Sequence, residues 1–220
     1  LRVEHSSLRR IRSREQGLVQ MTHSQLIIED STISDFNASF AHLYKCSFLV
    51  THSQIAFGGV ALSGRNVYAG HLAGFIDATD SVGVITNSRF YSVSGIQGGA
   101  LAIESKTGAA QLVISNCHFE LCAAQRGGVL SALSAAVNVS HSTFLSNSAQ
   151  SGGVLHLQCD SPSHCPSSLS SSEFLNNSAV EGAVLKWTKV RPSMSGLSAL
   201  NNSARYGPFE ASLPTHIAVS

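Results

Sequence analysis

At 220 residues the chain is long enough for one domain with a real core, or for an elongated array of repeats. Charged residues make up only 12%, against about a quarter in ordinary globular chains, while hydrophobic residues reach 43%, too many for a disordered chain. A net charge of +1 supplies no field for nucleic acid or an acidic membrane, and no stretch approaches the ~20 apolar residues of a membrane span.

The first element, residues 1–8 (LRVEHSSL), returns in kind at 26–33 (LIIEDSTI) and at 137–144 (VNVSHSTF). The closing apolar residue of each serves as an anchor. The anchors are Leu8, Ile33, Ile55, Phe90, Phe119, Phe144, Phe174 and Ala199, at steps of 25, 22, 35, 29, 25, 30 and 25 residues. Five residues before them stand Val3, Ile28, Val50, Ile85, Ile114, Val139, Leu169 and Met194, all apolar. Two before them Ser is usual, as at Ser6, Ser31, Ser53, Ser88, Ser142 and Ser172. Eight or nine after them comes a glycine turn: Gly17, Gly64, Gly98-Gly99, Gly127-Gly128, Gly152-Gly153, Gly182 and Gly207, with Ala41-His42 in its place once. An apolar pair follows, as in Leu101 and Ile103, Leu155 and Leu157, Leu185 and Trp187.

Each repeat thus predicts three short strands of period-two alternation, separated by Ser/Asn/Gly corners. No window supports a helix longer than a turn or two. The fold class is all-β: a right-handed parallel β-helix of three-strand coils, about eight coils of ~25 residues each. It occupies residues 1–212, with 213–220 as an exit segment to a following domain. The longer steps place insertions at 104–111, at 158–168 and between 56 and 82. Since the repeat is already running at Leu1 and no signal peptide precedes it, the expectation is a piece of a larger protein. The opening arginines (Arg2, Arg9, Arg10, Arg12, Arg14) read as the solvated edge of one coil.

Phe90, Phe119, Phe144 and Phe174 should stack as a ladder. Asn147, Asn177 and Asn202, each three after its anchor, should form a second one. Asn tolerates a left-handed corner, and its side chain can bond the Asn of the next coil. The glycine doublets allow positive φ and close approach of neighbouring coils. Five cysteines leave one or more unpaired. Cys159 and Cys165 bracket a polar loop suited to a local disulfide, whereas Cys117 and Cys122 can either pair or stand as separate stacked thiols. Four sequons, at Asn37, Asn138, Asn176 and Asn201, are glycosylation candidates and lean toward a secretory route.

Carboxylates do not gather at equal offsets in neighbouring coils: Asp30, Asp35, Asp77, Asp80 and Asp160 are scattered and share no basic neighbour in register, as are Glu104, Glu120, Glu173 and Glu181. They read as surface charge. His5, His52 and His141 share one offset, but in coils that are not adjacent, and read as corner residues. There is no GxSxG, HExxH, Walker A or GxGxxG pattern and no CxxC pair, so neither a catalytic site, a metal nor a cofactor is expected.

Gly98-Gly-Ala-Leu101, Gly127-Gly-Val-Leu130 and Gly152-Gly-Val-Leu155 resemble the GGA[I/L/V] element of polymorphic outer-membrane protein repeats. Phe144-Leu-Ser-Asn147 and Phe174-Leu-Asn-Asn177 resemble the FxxN element of the same repeats. The match covers about residues 83–212. The resemblance implies a pectin-lyase-like parallel β-helix of the kind found in chlamydial surface adhesins and in large surface proteins of algae and other protists. The expected function is therefore a non-catalytic structural or adhesive segment of an extracellular or cell-surface protein, a rigid spacer or assembly component. Its partners would be other subunits or domains of a surface assembly, and glycans, with no nucleic acid. The alternative is a carbohydrate-binding or polysaccharide-degrading module with its site in the 56–82 insertion.

Overall fold

The computed structural model describes residues 1–12, 17–59, 73–159 and 165–212. Gly64, Arg14, Asp160 and the exit segment 213–220 lie outside the described residues. The described residues form a β-solenoid without helices, of about eight turns. Three parallel sheets run its length: two of 8 strands and one of 12. Each strand pairs with its counterpart one coil away, so every inward column is built from residues about one repeat apart.

The expected columns are the observed ones. On the second face the pairing runs Leu8, Ile33, Ile55, Phe90, Phe119, Phe144, Phe174, Ala199 without a slip. On the first face it runs Val3, Ile28, Val50, Ile85, Ile114, Val139, Leu169, Met194. On the third face Leu101, Leu130, Leu155 and Leu185 stack in the same way. A one-residue slip would turn each of these side chains outward, so the apolar columns hold the register. The steps that depart from 25 residues are absorbed at corners. Ile55 still pairs with Phe90 and Ile76 with Leu101, which places the longest insertion at residues 60–72, outside the described residues. The insertion at 104–111 folds back onto Asp80, whose Oδ1 accepts the Lys106 and Thr107 amides at 2.7 and 2.9 Å.

The four phenylalanines are fully buried and pile above one another. Ring centroids lie 4.7, 5.3 and 5.0 Å apart, with interplanar angles of 14°, 3° and 6°. The strand spacing of ~4.8 Å sets this distance, and offset stacking suits it. Phe75 and Phe209 close the column edge-on at its two ends.

Three details differ from the sequence reading. The later coils hold four strands rather than three, because the second face bends and splits, as in His118–Glu120 followed by Ala123–Arg126. The bend falls on the residue two after each anchor, and all eight of these are left-handed, from Arg10 and Asp35 to Asn176 and Asn201. Asn147, Asn177 and Asn202 follow that residue and do not themselves adopt positive φ; their role is the amide ladder. Finally, the turn of the short second coil sits at Ala38-Ser39, not at Ala41-His42: Ala41 pairs with Val19 and Ile76 as the first residue of the third-face strand.

The glycine doublets divide their work. Gly98, Gly127 and Gly152 have φ of 76°, 61° and 67°. Gly99, Gly128 and Gly153 do not, but a Cβ on any of them would lie 1.9–2.1 Å from a carbonyl oxygen of the next coil.

Candidate functional site

Corners, not strands, organise the polar chemistry of this rod. The residue three before each anchor is left-handed in all eight coils: His5, Asp30, His52, Asn87, Asn116, His141, Ser171 and Gly196, with φ between 45° and 60°. Short polar side chains and His tolerate that region best, which explains why the three histidines share an offset. Next comes the buried serine column. Ser31, Ser53 and Ser172 each accept the backbone amide of the preceding coil's counterpart, at 3.1–3.2 Å. Each hydroxyl returns its proton to the carbonyl two residues upstream, as from Ser53 to Thr51 at 2.7 Å. Cys117 takes the serine place once, donating to the Ser115 carbonyl at 3.2 Å.

Between these columns and the second face lies an open groove of about 880 Å³. Ser31, Ser53, Ser88 and Cys117 form its floor. Asp30, His52, Asn87, Asn116 and His141 form one wall, and Thr32, Gln54, Arg89, His118 and Thr143 the other. The walls are tied by contacts between coils and along a strand. Asn87 Nδ2 is 3.3 Å from His52 Nε2, and Arg89 and His118 both reach Glu120, at 2.9 and 3.2 Å. The hydrogen bond from Arg89 is the main cause that holds the Glu120 carboxyl below its ordinary range. Beside the groove, Phe57 and Tyr91 meet edge-on at 5.2 Å, Phe57 being 57% exposed. Planar amides, imidazoles and a guanidinium beside an aromatic pair with one exposed ring can hydrogen-bond and stack an extended polar chain. Among the described residues no group of three His, Cys, Asp or Glu side chains is placed to hold a metal.

The asparagine ladder at the next corner is complete. Asn177 Oδ1 accepts the Asn147 amide at 2.9 Å and its Nδ2 at 3.0 Å; Asn202 does the same for Asn177. Nδ2 of each also donates to the anchor carbonyl of the preceding coil, at 2.8–3.1 Å. Asn147 and Asn177 are fully buried.

Cys159 and Cys165 form a disulfide, Cα to Cα 6.0 Å. Cys117 and Cys122 do not pair: they belong to different corners. Cys117 lies in the serine column, and Cys122 in the asparagine column, where its amide donates to Asn147 Oδ1 at 2.9 Å. Burial pushes their thiols up to about 11 and about 12, far from a reactive thiolate. Cys46 is likewise free and buried. All four sequon asparagines, Asn37, Asn138, Asn176 and Asn201, are exposed.

Two of the aspartates read as having no basic neighbour in register do have one, a correction to the sequence reading. Asp77 stacks in register on His42, Oδ2 to Nδ1 3.9 Å, and Asp30 Oδ2 lies 3.7 Å from His5 Nδ1. A further cluster, which the sequence reading missed although His156 and Lys186 share one offset from their anchors, stands on the outer side of the third face. His156 stacks between Ser131 and Lys186, and Lys186, only 5% exposed, bonds Glu181 at 2.9 Å. Burial, then the charges of Arg126 and Lys186, push His156 down to about 4, with Glu181 opposing.

That shift carries a pH dependence. Unfolded, His156 takes up a proton near its ordinary pKa of 6.5; folded, it resists until about 4. Stability is therefore complete above pH ~6.5 and falls as the pH drops toward ~4, by about 2–3 kcal/mol in all. Urea unfolding of wild type and His156→Gln between those pH values should show this slope in the wild type and its loss in the variant.

No family model matches this chain, and no curated protein or solved structure is significantly similar to it.

Proposed function

We propose that the chain is a non-catalytic structural or adhesive segment of a large extracellular or cell-surface protein, built on repeats like those of polymorphic outer-membrane proteins. The observation that carries this reading is the unbroken register of inward columns and hydrogen-bonded side-chain ladders through about eight turns. Such a body resists bending, because every coil is fixed to the next by backbone and side chain together. The first face adds support for an assembly role. From the third coil onward its outward residues are Ser47, Leu49 and Thr51, then Val82, Val84 and Thr86, then Gln111, Val113 and Ser115, and so to Ser193 and Ser195, none of them charged. A flat uncharged face suits side-by-side packing with another subunit or domain. Exposed sequons and a disulfide fit a secretory route.

The polar groove favours a second reading, a carbohydrate-binding or polysaccharide-degrading module. One experiment separates the two. The purified chain, with Arg89→Ala and Gln54→Ala variants, is incubated with neutral and acidic oligosaccharides in the presence and absence of Ca²⁺. Structural or adhesive use predicts no cleaved product under any condition. Product formation that the two variants abolish would replace the first reading by the second.

A further inference from the structure

The crease beside His156 combines features that a structural ion pair does not need. Residues that alternate away from the core on the third face are nonetheless covered: Ala102, Ser131, Lys186 and Ala211 are 8%, 7%, 5% and 4% exposed. The chain reverses at Gly127, Gly152 and Gly182, which brings the column Arg126, Ser151, Glu181 alongside the column Ser131, His156, Lys186. Lys186 reaches across this corner to Glu181 and is held there. Arg126 is exposed, with no ion pair to a carboxylate among the described residues, and the His156 ring makes no hydrogen bond to them. Two permanent cations thus flank an imidazole, with one carboxylate, held by Lys186, and the Ser131 and Ser151 side chains in the same two columns.

We propose that this crease is an oxyanion site, centred on the His156 ring and completed by Arg126 and Lys186, which takes a sulfate, phosphate or carboxylate group. Arg126 supplies a fork of donors with no competing partner. Lys186 is already immobilised by Glu181, so its ordering is not charged against binding. The imidazole, flanked by two cations and only one carboxylate, gains a further favourable partner when an anion enters, and it then accepts a proton more readily. Glu181, 46% exposed, can turn toward water as the anion replaces it beside Lys186.

The test is the titration of the His156 ring by NMR, assigned through His156→Gln, in chloride and then with inorganic sulfate, phosphate or acetate at equal ionic strength. In chloride the midpoint should lie at about 4. A bound oxyanion should raise it by about half a pH unit or more, and the comparison of the three salts identifies which oxyanion is preferred. Arg126→Gln, a change at an exposed side chain, should raise the starting midpoint and remove the anion-induced increment. A midpoint that none of the three anions moves would overturn the proposal. So would an increment of equal size in Arg126→Gln.

Discussion

Gly153→Val should destabilise the rod by about 4 kcal/mol or more, read as a fall in the urea midpoint. A Cβ at this position would lie 2.1 Å from the Ala183 carbonyl oxygen and 2.7 Å from that of Ser178, both backbone atoms of the next coil. Neither can yield without breaking the hydrogen bond from the Gly153 amide to Gly182, 2.9 Å long, and its neighbours. The clash begins at Cβ, so Gly153→Ala should already carry most of the cost. Gly152 differs: its φ of 67° adds conformational strain to a Cβ contact of 2.1 Å with the Leu155 oxygen. Ser151→Ala, two residues away on a half-buried side chain, should stay within about 0.5 kcal/mol. Were Gly153→Val to unfold at the wild-type midpoint, the close stacking of coils at this corner would be refuted.

Phe144→Ala is expected to cost about 3–5 kcal/mol. Phe144 is fully buried and stacks on Phe119 and Phe174 at 5.3 and 5.0 Å. Its loss leaves a cavity in the middle of the rod and removes two aromatic contacts of about 0.5–1.5 kcal/mol each. The columns to either side hold the gap open, since the neighbouring coils are pinned by backbone pairing. Leu200→Ala, one of the outward side chains at 60% exposure, should cost about 0.5 kcal/mol or less. Equal losses at Phe144 and Leu200 would show that the anchor column does not form the core.

The inward columns were legible because burial imposes one residue class at one spacing. A position that meets its own counterpart in the next coil repeats that class, as Val139 does on Ile114 and Leu169. The corner glycines Gly99, Gly128 and Gly153 were legible for the same reason, since each meets the next coil's backbone. The serine column was visible as a pattern but not as a function, because its bonds run between coils. The split of the second face was hidden, since residues as different as Leu121, Ser146 and Asn176 all fill the left-handed place there.

What the sequence determined by itself was the solenoid: the register of its inward columns and the stacked phenylalanines. Each of these follows from local chemistry repeated along the chain. Only the tertiary structure decided which polar side chains share a surface. Arg126, His156 and Lys186 lie in three successive coils; His156 and Lys186 share one offset from their anchors and so stack, but Arg126 stands at another, and only the corner brings its column alongside theirs. The groove walls are likewise assembled by stacking across coils, and Cys117 and Cys122, five residues apart in the chain, end at different corners. The physical reason is that hydrophobic burial acts on every coil alike and so writes a period into the sequence, while a polar cluster needs one residue from each of several coils and leaves no period to read.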